Sequence, residues 1–101
     1  MIRGTTPVLE FTLPFETDLL EEAYVTIAQM GTVVIEKSID ECTLKHNMLS
    51  VKLPQEETLK LIAQRNLRAE IQLRVLTRDG EALASNIETV DVGRILKDGV
   101  I

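Results

Sequence analysis

Apolar and polar residues alternate in short runs along most of this chain, the period-two pattern of strands with one face buried. From Pro7 to Leu13 the alternation sets Leu9, Phe11 and Leu13 against Val8, Glu10 and Thr12, and Pro14 ends the run. Thr17 to Glu22 reads as one helical turn or a tight loop, with Asp18 as its cap and Glu21 completing a capping box. Ala23 to Met30 and Thr32 to Ile39 are β-rich runs hinged at Gly31, which tolerates the positive φ of a tight hairpin turn. Val25, Ile27 and Gln29 share a face on the first run, and Val33, Ile35 and Ile39 share one on the second.

Lys45-His46-Asn47 reads as a turn, with Asn47 suited to a left-handed conformation, and leads into a strand carrying Leu49, Val51 and Leu53 on one face. Pro54 to Ile62 predicts a helix of about two to three turns, with Pro54 at its first position and Leu59 and Ile62 inward. Leu67 to Arg78 has the clearest alternation, with Ala69, Ile71, Leu73 and Val75 facing one way. A turn at Arg78 to Glu81 returns the chain along Ala82 to Val92, where the phase changes near Ser85-Asn86 as at a bulge. Six or seven short strands with one short helix predict a single all-β domain over residues 1–101. We expect an antiparallel β-sandwich, for which immunoglobulin-like connectivity is one arrangement.

Composition narrows the function more than the fold. Phe11, Phe15 and Tyr24 are the only aromatic residues, so branched aliphatics must fill the core and stacking platforms for bases or sugars are scarce. The net charge of −5 repels phosphate backbones, which argues against nucleic acid as a direct ligand. No run approaches the length of a membrane span and the opening residues lack an apolar leader. The expectation is synthesis in a cytoplasm without membrane insertion. A lone Cys42 permits no intramolecular disulfide, in keeping with a reducing compartment.

Candidate chemistry is thin. Cys42 and His46 lie four residues apart with Asp40 and Glu41 nearby, but a structural zinc site wants four well-placed ligands, and no cofactor motif accompanies them. The same pair could serve a cysteine hydrolase only if the fold brought thiol, base and an oxyanion partner together. Glu21-Glu22, Asp40-Glu41 and Glu56-Glu57 fall in turns or a helix's first turn, where solvated acids are expected. The glycines are too isolated for a phosphate-binding loop. Arg68, Arg74 and Arg78 form a stripe on the outward side of their strand, with Glu70, Glu81 and Glu88 as expected cross-strand partners.

Taken together, Arg3-Gly4-Thr5-Thr6-Pro7, Leu13-Pro14-Phe15, Ala23-Tyr24-Val25-Thr26 with Ala28-Gln29, Leu53 with Gln55-Glu56-Glu57-Thr58-Leu59, Ala82-Leu83-Ala84-Ser85-Asn86-Ile87 and Arg94 to Ile101 span nearly the whole chain. In these segments the chain resembles a group of small uncharacterised proteins encoded in phages and prophages of Gram-positive bacteria. It is more distantly similar to the β-sandwich domain that begins phage baseplate upper proteins. The resemblance implies a virion or assembly component in the head-to-tail, tail or baseplate region, with other phage structural proteins as partners. Pro54 stands where that pattern has Thr, which removes a side-chain cap from the helix.

The leading expectation is therefore a non-catalytic protein-protein interaction module, with Ile95, Leu96, Val100 and Ile101 as its contact residues and Met1 and Ile2 as companions. The opposing expectation is that this apolar segment folds back over the domain's own core. A carbohydrate-binding sandwich is a second class of function, weakened by the shortage of aromatic rings. A homo-oligomer, a ring among them, fits a phage component.

Overall fold

The computed structural model describes residues 1–101. Two antiparallel sheets face each other, as the alternation predicts. In chain order the strands are β1 (Val8–Thr12), β2 (Leu20–Gln29), β3 (Thr32–Ser38), β4 (Thr43–Lys45), β5 (Met48–Lys52), β6 (Arg68–Thr77), β7 (Ala82–Ala84) and β8 (Glu88–Asp91), with one short helix, α1 (Gln55–Thr58). The smaller sheet has the order β1-β5-β4, and the larger has β3-β2-β6, with β7 and then β8 pairing in succession along the far side of β6. Eight strands replace the six or seven expected because the arm after Glu81 divides in two and a short β4 precedes the His46 turn. The connectivity is not immunoglobulin-like: there the first two strands share a sheet, whereas here β1 and β2 lie in opposite ones.

The core forms where the alternating rows meet. Ala23, Val25 and Ile27 of β2 and Ala69, Ile71, Leu73 and Val75 of β6 face Leu49, Val51 and Leu53 of the smaller sheet, within one cluster of 15 buried hydrophobic side chains. The β2–β3 turn carries positive φ at both Met30 and Gly31, the paired left-handed geometry that suits a two-residue hairpin. A register shift between Ile27 and Ala28 leaves Val34 as an extra residue in β3. It turns Val33 out to solvent, 54% exposed, while Ile35 stays buried, so these two do not share a face as expected.

Three local expectations need correction. At Thr17–Leu19 the turn is a 3-10 turn whose preceding residue, Glu16, is extended and makes no side-chain cap. The chain is back in strand by Leu20, so Glu21 lies in β2 and the Asp18–Glu21 capping box does not form. In the β4–β5 turn the left-handed residue is His46, with φ 55°, and not Asn47. Helix α1 is a single turn: Pro54 is extended (φ −75°, ψ 155°) and precedes the helix instead of opening it. After Thr58 the bonding tightens, with Lys60 N–H donating to Glu57 O and Leu61 N–H to Thr58 O. Three-residue spacing from buried Thr58 brings in Leu61 and leaves Ile62 46% exposed, the reverse of the expected inward Ile62.

The phase change in the last arm is as expected. Arg74 pairs with Ala84 but Arg68 with Asp91, so the register slips by one residue between β7 and β8. The Ser85 hydroxyl fills the gap by accepting the Leu73 N–H at 3.0 Å. The slip turns Glu88 and Val90 to the inner face, opposite Ile71 and Ala69.

Thr58 ties helix to sandwich. Its fully buried hydroxyl donates to Thr5 O at 2.7 Å. Thr58→Val keeps the shape and leaves that carbonyl unpaired, so we expect a loss of about 1–2 kcal/mol in urea unfolding with an unchanged m-value. A loss too small to resolve would mean the contact is not made.

Candidate functional site

The sandwich has one closed flank, one open flank and one pole where most of the irregular chain gathers. On the closed flank, β3 places Lys37 inward, where its ammonium lies 2.6 Å from Glu57 Oε2 of α1 and 3.1 Å from Glu41 Oε2. Glu57 Oε2 is shut off from solvent and meets no donor besides that ammonium. Desolvation alone would lower the Lys37 pKa, but the hydrogen bonds to Glu57 and Glu41 outweigh it and hold the group above its ordinary 10.5. These two acids are thus two of the three members of an ion-pair cluster and not the freely solvated residues expected.

Beside it, Cys42 donates through Sγ to Ser38 O at 3.3 Å, and burial together with the Glu41 charge pushes its thiol pKa up. His46 sits instead at a shallow surface hollow with Pro14, Phe15 and Glu16, and its carbonyl accepts both the N–H and the hydroxyl of Thr17 at 2.7 Å. The two residues considered for nucleophilic chemistry therefore have separate surroundings. No group of three or more His, Cys, Asp or Glu side chains is placed to hold a metal ion. No helix is long and apolar enough to cross a membrane.

The pole is assembled from the first residues, the segment after α1, the β2–β3 turn and residues 93–101. Arg3 is its hub: Nη2 donates to Leu59 O at 2.7 Å, Nε to Leu61 O at 3.1 Å, and Nη1 pairs with Asp98 Oδ1 at 3.0 Å. Asp98 is held below its ordinary carboxylate range by the Arg3 hydrogen bond first and the Gly99 N–H second. Buried Gln29 joins the β2–β3 turn to the same region by two bonds with Ile62, accepting its N–H at 2.8 Å and donating to its carbonyl at 2.9 Å. Gly93 continues the fold, donating to Met1 O at 2.7 Å and accepting from Arg3 N–H at 3.1 Å, which forms a parallel bridge with Ile2. The Gln55 amide then fastens Ile101, accepting its N–H at 2.9 Å and donating to its carbonyl at 3.3 Å.

This geometry divides the four residues singled out in the sequence. Ile95 is partly buried and packs over Gly4, where an added Cβ would come within 2.9 Å of its Cδ1. Leu96, Val100 and Ile101 point away from the body, 93%, 54% and 91% exposed. Met1 packs on the core edge and Ile2 is half exposed. Sequence reasoning missed the other apolar residues on these segments, Met30 and Ile62, both exposed as well. Their signal was a large aliphatic beside a turn glycine and a helix too short to bury its last residue.

The open flank is a groove of about 640 Å³ between β1 and β7, with Phe11, Phe15, Leu73 and Val75 in its walls. Leu83 lies opposite buried Val75 and so faces inward, yet it is 42% exposed because the smaller sheet does not extend over it. On the arginine stripe a solvated cross-strand ion pair forms as expected, with a different acid as the partner. Arg68 pairs with Asp91 at 3.1 Å, Arg78 Nε donates to Asp18 O at 2.8 Å, and Glu88 lines the groove.

No protein-family model matches this chain, and no curated protein or solved structure does either. Function has to be argued from these surfaces.

Lys37 offers a pH test of the closed flank. Its folded-state pKa is raised, so its stabilising effect is complete below the unfolded value near 10.5 and fades as pH rises through the folded value. We expect Lys37→Met to lower stability at neutral pH by about 1–3 kcal/mol, because Glu57 loses its counter-charge. The deficit relative to wild type should shrink only in strongly alkaline buffer. A deficit that is constant with pH would show that Lys37 acts through packing alone.

Proposed function

We propose that this sandwich is a non-catalytic protein-protein interaction module of a phage or prophage, serving as a virion or assembly component that docks onto other structural proteins. One observation carries the reading: Leu96 and Ile101, 93% and 91% exposed, sit on a segment that hydrogen bonds fasten to the body. A segment held in place without burying its aliphatics has gained order and not apolar contact, which suits a preformed docking surface. Ile95 anchors the segment, and Leu96, Val100 and Ile101 are its contact residues, with Ile2 beside them. The resemblance to phage and prophage proteins supplies the setting: synthesis in the bacterial host cytoplasm, then incorporation into a particle.

Because the contact side chains are exposed, changing them should spare the fold. Leu96→Asp with Ile101→Asp is expected to leave the unfolding midpoint unchanged and to remove the protein from purified particles, measured by quantitative mass spectrometry of gradient-banded virions. Wild-type protein absent from particles, or the double variant retained at the wild-type level, would contradict the proposal.

A further inference from the structure

Two apolar features of this molecule lack a partner, and their charges are opposite. The first is the open-flank groove, whose walls include Phe11, Phe15 and Leu83 and whose lining holds two acidic residues, Glu88 on the inner face of β8 and Glu10 on the outward row of edge strand β1, and no cationic one. Neither carboxylate takes part in an ion pair. The second is the segment of residues 94–101, where exposed Leu96 and Ile101 accompany Arg94 and Lys97. Arg94 makes no ion pair and Lys97 reaches only the neighbouring Asp98 carbonyl, at 3.4 Å, while Asp98 itself is neutralised by Arg3. The segment is thus aliphatic with unspent positive charge, and the groove is apolar with unspent negative charge.

The groove edge also carries unpaired backbone groups. Pro7 O accepts from Leu53 N–H and Leu13 N–H donates to Asn47 O, so the odd-numbered residues of β1 bond to β5. By antiparallel alternation the N–H and C=O groups of Val8, Glu10 and Thr12 point out of the sheet along the groove edge, unpaired within the chain. None of residues 94–101 lines the groove of its own chain, and the Arg3 and Gln55 contacts pin them at the pole.

We infer that the groove of one copy receives the 94–101 segment of a second copy, with Leu96 and Ile101 entering between β1 and β7 and Arg94 and Lys97 meeting Glu10 and Glu88. The inference rests on the reading of the pole as a docking surface and assigns it an occupant. The pair then keeps one groove, on one copy, and one segment, on the other, so the contact is heterologous and propagates head to tail until a ring closes or a filament grows. Opposite charges at the two faces set the direction of docking and make association weaken with salt.

Sedimentation velocity over a concentration series of the full chain tests this. Wild type is expected to associate increasingly with concentration, and less at high salt. Leu83→Asp spoils the groove and Leu96→Asp the segment; both positions are solvent-exposed, and each substitution is expected to weaken self-association roughly a hundredfold by placing a charge in an apolar contact. An equimolar mixture of the two variants should then form a one-to-one dimer and stop, because it pairs one intact groove with one intact segment. Glu88→Lys, at an exposed rim position, should weaken association about tenfold with an unchanged unfolding midpoint.

Wild type that stays monomeric throughout would overturn the inference, as would a mixture no better associated than either variant alone. Retained association of Leu83→Asp with loss in Leu96→Asp would indicate symmetric pole-to-pole contact and also overturn it. Any of these results would leave the pole's role in particles to the virion measurement, which reads it independently.

Discussion

Everything in this fold depends on one packed interface, the row Leu49, Val51 and Leu53 lying across the β2–β6 ladder. Those three side chains are 0–2% exposed, as are Ala23, Val25, Ile27 and Ala69 opposite them. With two Phe, one Tyr and no Trp in the chain, the contact must be made by aliphatics at strand spacing. The smaller sheet has three strands and the larger has β7 and β8 beyond β6, so the two layers cannot cover each other completely. On one flank α1 and the Lys37–Glu57–Glu41 cluster complete the cover, and on the other nothing does. That mismatch in width is the physical source of the groove.

Strand content, the hairpin at Gly31 and the inner faces of β5 and β6 were legible because each rests on a local rule: alternation selects a face, and a turn residue sets a reversal. What escaped was set by nonlocal contacts. The extra residue at Val34 cannot be seen in a run of uniformly β-branched residues, yet it decides that Val33 is exposed. The helix after Pro54 stops at one turn, and the Thr58 hydroxyl at its end is fixed by Thr5, 53 positions away. Lys37 was a near miss. It has the same parity as Ile35 and so belongs on the inner face, a placement that becomes tolerable once Glu57 arrives from α1.

The candidate surfaces show the same division. The apolar character of residues 95–101 was plain, but whether they cover the core or face solvent depends on Arg3, Gly4 and Gln55, which lie far away in sequence. The fold-back expectation holds for Gly93 and Ile95, whereas Leu96, Val100 and Ile101 stay exposed. The groove was not legible at all. It is a consequence of strand order, and its acidic rim owes Glu88 to the one-residue slip beyond Ser85.

Native-state hydrogen exchange on dilute protein tests the two-layer account most directly. Amides of Tyr24, Thr26, Gln72 and Arg74, which by antiparallel alternation bond between the two central strands β2 and β6, should exchange most slowly and only through global unfolding, whereas those of Glu10 and Thr12 at the uncovered edge should exchange rapidly. Slow exchange at Glu10 and Thr12, or fast exchange along β2 and β6, would contradict it.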